Sequence, residues 1–124
     1  MSETPMALEG IRILDFTHVF QGPAGMQLLG DFGADVIKIE RPGGGDWSRT
    51  WGPFLDDMSL PFLSLNRNKR SVALNLKDAE AMAVLLKLVD TADVLVHNFR
   101  PGVMLRLGLD YETLHVRNRR LVYA

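Results

Sequence analysis

Residues 11–40 read IRILDFTHVFQGPAGMQLLGDFGADVIKIE. The apolar run from Ile11 to Phe16, opened by Gly10, reads as a buried strand. Gly22-Pro23 breaks it, and Pro23 suits the first turn of a helix. Over 24–32, Met26, Leu28, Leu29 and Phe32 recur at helical spacing, and Gly33 follows as a C-terminal stop. Asp35 to Glu40 reads as a second strand. Strand, helix and strand in this span form a right-handed βαβ unit with parallel strands. The class expected is therefore α/β, with a mostly parallel sheet flanked by helices.

Working outward, residues 41–65 read as one long loop, opened by Pro42 and three glycines and carrying Trp47 and Trp51. So long an irregular segment in a compact domain is usually functional or mobile. Residues 71–76 read as a third strand, Asp78 as the N-cap of a helix over 79–90, and 93–97 as a fourth strand, so that 71–97 is a second βαβ unit. A turn at 98–102 leads to a short helix near 103–107 ending at Gly108. A helix over 111–117 follows, and Leu121 to Ala124 begins a fifth strand. A parallel strand is normally buried on both faces and followed by a return connection. Two readings are open: a short terminal strand, or the front part of a longer protein. Residues 1–9 read as a short, polar, flexible start, unlike a secretory signal.

The length of 124 residues fits one domain. Hydrophobic residues at 47% and charged residues at 23% exclude a disordered tail. A net charge of -1 argues against nucleic-acid binding through bulk charge. The lack of cysteine excludes disulfides, thiolate metal sites and a thiol nucleophile, and is compatible with the cytoplasm. No apolar run approaches the length of a membrane helix. The histidines, His18, His97 and His115, have no second ligand at metal spacing, so no metal site is expected.

In open parallel sheets ligands bind beyond the carboxyl ends of the strands. The segments to inspect are 17–23, 41–53, 77–78 and 98–106, which carry Arg41, Arg49, Lys77, Arg100 and Arg106. From Met58 to Lys77 there are four basic residues and no acid. That segregation suits a phosphorylated ligand, or it is a solvated basic turn. Glu40 stands where dinucleotide-binding folds place an acid, but the first loop lacks G-x-G-x-x-G, and Pro23 removes a backbone donor, which disfavours NAD. The P-loop pattern is also absent. Asp15 reads as a structural carboxylate bonded to neighbouring backbone, His18 as a loop side chain, and the tryptophans and Met26 as core or lid packing.

Four segments occur in order: Leu14-Asp-Phe-Thr-His-Val with Gly22-Pro23, Gly33-Ala-Asp-Val-Ile-Lys-Ile-Glu-Arg-Pro42, Asn66-Arg-Asn-Lys-Arg-Ser71 and Asn98-Phe-Arg-Pro-Gly102. Together they resemble the class III CoA-transferases, which include formyl-CoA transferase, carnitine CoA-transferase and alpha-methylacyl-CoA racemase. The resemblance runs from about Leu8 to Ala124. It implies a Rossmann-like large domain, of which residues 1–124 would be the N-terminal part, and an interlocked homodimer. It also implies coenzyme A and acyl-CoA as substrates, moved between carboxylic acids, with no tightly bound cofactor. The family's transfer uses an aspartate that becomes a CoA thioester. That aspartate lies further along the family's chain than residue 124, so no catalytic nucleophile is carried over and this chain alone is expected to be inactive and to self-associate.

The CoA-contacting positions carried over from the resemblance are Val19, Arg41, Leu74, Lys77, Asn98, Phe99 and Arg106. Arginine and lysine suit phosphates, Leu74 and Phe99 suit adenine or the pantetheine arm, and Asn98 can donate and accept. The chain departs from the family at three places. Phe20 stands where formyl-CoA transferases carry an active-site glutamine, so Gln21, one place later, is the candidate active-site loop residue. His97 replaces a usual glutamate, and Arg119 a frequent proline. Two further readings stay open: the racemase branch of the family, and a CoA-binding module without catalysis.

Overall fold

The computed structural model describes residues 5–124. Five parallel strands form the main sheet: β1 (Arg12–Asp15), β2 (Asp35–Glu40), β5 (Lys69–Ala73), β6 (Val94–Val96) and β7 (Val122–Tyr123). Two-residue strands β3 (Phe54–Leu55) and β4 (Met58–Ser59) make a separate antiparallel hairpin. The helices are α1 (Gln21–Asp31), α2 (Leu60–Asn66), α3 (Ala79–Asp90), α4 (Val103–Arg106) and α5 (Tyr111–Arg117). The main sheet runs β5-β2-β1-β6-β7, with Leu14 of β1 opposite Ile37 of β2 and Leu95 of β6. The α/β class and the parallel sheet expected from the sequence are both present.

The two faces of the sheet follow the alternation of a strand. Leu14, Ile37 and Leu95 project to one side and pack with Leu85 and Val89 of α3, Met104 of α4 and Leu114 of α5. Ile13 and Val36 project to the other, against Met26 and Leu29 of α1. Apolar helical stripes therefore cover both faces, the arrangement that keeps a parallel sheet dry. The chain leaves β1 toward β2 and β5 on one side, then crosses by α3 to β6 on the other. The strands of the second βαβ unit are parallel but not neighbours, since β2 and β1 lie between them. The order reverses beside β1, which places a ligand crevice between the carboxyl ends of β1 and β6.

Local chemistry explains most element ends. Asp78 caps α3 by accepting from the N–H groups of Glu80 and Ala81, both at 3.0 Å. Gly33, with φ +100°, follows α1 in the left-handed region. α1 begins at Gln21 rather than near Ala24, and Gly22 permits this. A Cβ at 22 would fall inside the van der Waals shell of the buried Thr17 side chain. Gly22→Ala is therefore expected to destabilise the fold by about 1–3 kcal/mol through overpacking. Urea denaturation measures it, and an unchanged midpoint would refute the close approach.

Two sequence expectations need correction. Residues 41–65 are not one irregular loop: they contain a 3-10 turn at Trp47–Thr50, the β3–β4 hairpin and α2. The start of α2 carries its own signal, because the Ser59 hydroxyl accepts from the Phe62 N–H at 3.2 Å and Pro61 sits in the first turn. The third main-sheet strand spans Lys69–Ala73, two residues earlier than expected at its start. Lys69 and Arg70 can enter a strand because their charges are met by Asp15 and Asp35. Of the flexible start expected over 1–9, residues 1–4 lie outside the described residues. The Leu8 N–H donates to the Phe32 carbonyl at 2.9 Å, tying the turn before β1 to the end of α1.

Candidate functional site

The carboxyl ends of β1, β2, β5 and β6 open into two adjoining cavities. The first, about 340 Å³, lies between His18, Val19, Arg41, Gly45, Trp47, Asn98, Phe99 and Arg100. The second, about 270 Å³, is lined by Phe16, Ile39, Leu74, Leu76, Lys77 and Leu107 among others. His18, Arg41 and Phe99 line both and form the wall between them. The site thus sits at the reversal of strand order, where an open parallel sheet holds ligands.

The residues expected from the sequence fall into three groups. Val19 and Asn98 line the first cavity, Leu74 and Lys77 the second, and Arg41 and Phe99 both. Arg106 lines neither: it lies exposed on α4, its guanidinium reaching over Gly102. Gln21 also lines neither, and stands exposed at the start of α1. Sequence reasoning did not select Arg100, Trp47 or His18 as site residues. Arg100 lay in a segment marked for its basic residues. Trp47, read as packing, is 62% exposed at the rim of the first cavity.

The tip of the first loop is held from two sides. Asn98 accepts from the His18 N–H at 2.9 Å and donates to the His18 carbonyl at 2.8 Å. Its amide is thereby engaged with backbone. The next amide, Val19 N–H, donates to the Asp46 carboxylate at 3.1 Å. Val19 has φ +77°, a conformation that β-branched residues rarely adopt. Burial lowers the pKa of His18 despite the nearby Asp46 carboxylate, so its ring is neutral at neutral pH. The ring lies against Phe99 with centroids 5.5 Å apart.

Beneath the cavities lies a layer of buried charge. Lys38 and Asp46 pair at 2.9 Å with essentially no exposure. Lys69 and Asp15 pair at the same distance, and Asp15 also accepts from the Thr17 N–H at 2.8 Å. Asp15 is the structural carboxylate its place in an apolar strand suggested, and it is not free to act as a nucleophile. Burial would push the Glu40 carboxyl up. Arg49, the Ser71 hydroxyl and the Asp46 N–H outweigh this and hold it down at about 2. With its carboxylate so engaged, Glu40 is not available to a ribose hydroxyl.

The basic stretch from Met58 to Lys77 is mostly neutralised. Arg67 pairs with Asp31, Lys69 with Asp15 and Arg70 with Asp35. Lys77 has no carboxylate partner among the described residues, nor do Arg41, Arg100 and Arg106. Free cations at the cavity rim and apolar walls of Phe16, Ile39, Leu74 and Phe99 suit a ligand with phosphates at one end and an apolar body. Among the described residues no helix is long and apolar enough to cross a membrane.

The chain is similar to several known proteins. An Acetobacter aceti protein named acetyl-CoA:oxalate CoA-transferase is 51% identical over 100% of this chain and 33% of its own length. A Mus musculus protein named succinyl-CoA:glutarate CoA-transferase is 47% identical over 94% of this chain and 27% of its own. The structure of a CAIB/BAIF family protein from Brucella suis superposes with a TM-score of 0.90 at 37% identity, covering 97% of this chain and 33% of that one. The chain thus spans about a third of the length of the relatives it matches. A family model described as CoA-transferase family III matches residues 8–124. The chain belongs to CoA-transferase family III.

Proposed function

We propose that the two cavities hold coenzyme A and its thioesters, and that the chain supplies this site to an enzyme moving CoA between an acyl-CoA and a carboxylic acid. The observation that carries the reading is the set of cations without carboxylate partners among the described residues, Arg41, Lys77 and Arg100, around a wall of Leu74 and Phe99. Guanidinium and ammonium groups meet phosphate oxygens, while the apolar wall takes the adenine ring or the pantetheine arm. Arg106 lies outside both linings and is exposed on α4, so any contact with a ligand phosphate would be made beyond the cavities. Val19 contributes its side chain rather than its N–H, which Asp46 already holds. Asn98 contributes by fixing His18.

CoA enters this reading as a substrate rather than a resident cofactor. The lack of cysteine fits a reducing compartment such as the cytoplasm. Leu28 on α1 and Phe32, the residue that caps its C-terminal end, leave more than half their surface exposed, which fits burial by further chain or by the second subunit of a homodimer. The chain spans about a third of the length of the relatives it matches, so a binding part of a larger catalyst is favoured over a self-sufficient one.

Titration calorimetry with CoA and with NAD tests the reading. CoA should bind more tightly. Arg41→Ala and Lys77→Ala should each weaken it by about 1.5–3 kcal/mol, the worth of a hydrogen bond to a charged group. Tighter binding of NAD, or no loss of CoA affinity in either variant, would overturn it.

A further inference from the structure

We infer that Asp46 is a positioning residue of this site: its buried carboxylate holds the Val19 N–H and so sets the loop tip beside the wall between the two cavities, without touching the ligand. The inference rests on the reading of the cavities as a CoA site. Asp46 is fully buried and lines neither cavity. One of its oxygens accepts from the Val19 N–H at 3.1 Å and from the Ser48 N–H and hydroxyl. The other faces Lys38 Nζ at 2.9 Å. Lys38 in turn donates to the Thr17 carbonyl at 2.7 Å.

The ion pair therefore grips the loop twice, by a carbonyl at 17 and an amide at 19. As a stabilising device a dry ion pair has little advantage over apolar residues of similar volume. As a geometric device it has no apolar equivalent, because only it supplies both an acceptor and a donor to the backbone. Valine held at φ +77° needs such a constraint, since free of it the residue relaxes to negative φ. Val19 follows His18 directly, so relaxation at Val19 would strain the two bonds by which Asn98 holds His18, whose ring both cavities share.

The test compares Lys38→Met/Asp46→Leu with Lys38→Met/Asp46→Asn. Both lack the ion pair, but only the second keeps an acceptor for the Val19 N–H. CoA affinity is read by calorimetry, and protection of the Val19 amide by hydrogen exchange in NMR spectra. The leucine variant should bind CoA at least about tenfold more weakly than the asparagine variant, with the Val19 amide exchanging faster. Equal affinity and equal protection in the two would overturn the inference. Failure of the unaltered chain to bind CoA would instead sink the reading of the site, and the Val19 amide would still judge the clamp: protection lost only in the leucine variant supports it, equal protection refutes it. If the leucine variant does not fold, Lys38→Met/Asp46→Ala removes the acceptor with a smaller side chain. It should show the same loss of affinity, and full affinity would count against the clamp.

Discussion

Lys69→Met is expected to cost about 3–5 kcal/mol of folding stability, the penalty for leaving a buried charge without its partner. Lys69 and Asp15 are almost wholly removed from solvent and lie 2.9 Å apart. The ammonium also donates to the Pro23 carbonyl at 2.9 Å and to the Asn66 side chain at 3.0 Å. One residue thus joins β1, the first turn of α1, α2 and β5. Methionine has nearly the same length but no donor, so the Asp15 carboxylate and two further acceptors lose their partner at once. Chemical denaturation followed by circular dichroism measures the loss. Asp15→Asn/Lys69→Met should lose less than the sum of the two single changes, because neither charge is then stranded. Strict additivity, or a loss below about 1 kcal/mol in Lys69→Met, would show that water reaches this pair.

The second large effect is acid lability. Glu40 and Asp46 are both held at about 2, from ordinary values of 4.5 and 3.8. For Asp46, burial acts upward and is outweighed by the Ser48 N–H and by Lys38. A carboxyl whose folded pKa lies below its unfolded one stabilises the fold above the unfolded value. That contribution fades as pH falls toward the folded value. Each group should thus contribute about 2–3 kcal/mol near neutrality, lost progressively from the mid-fours down to about 2. Thermal melts across this range at constant ionic strength should show a plateau above it and a steep decline within it. In Arg49→Ala the decline should be shallower, since the guanidinium that holds Glu40 down is gone. A melting temperature independent of pH below 4.5 would contradict the hold that Arg49, Ser48 and Lys38 exert on these two carboxyls.

Much of the fold could be read from residues 11–40 because its signals are local. Strand β1 is a short apolar run, the end of α1 is marked by Gly33, and the Asp78 cap of α3 acts over three residues of chain. The helix over 111–117 and the turn at 98–102 were equally local. The segment 41–65 was less transparent. Its elements are two to seven residues long, too short for periodicity to show, and its buried Asp46 and Ser48 look like ordinary loop polar residues in one dimension.

Sequence alone established the parallel α/β class and the end of the sheet at which to look, because apolar strands alternating with helices have few ways to bury both faces. It also supplied the motifs that mark the family. It could not say which basic residues remain free. Arg67, Lys69 and Arg70 stand together with no acid nearby in the chain, yet each meets a carboxylate more than thirty residues away, at Asp31, Asp15 and Asp35. Charge pairing falls off over a few ångströms of space, and that distance exists only after the strands have aligned. The same alignment brings Arg41, Lys77 and Phe99 to shared cavities and sets Asp46 under the first loop. Those outcomes belong to the tertiary structure, which alone settles what each charged side chain faces.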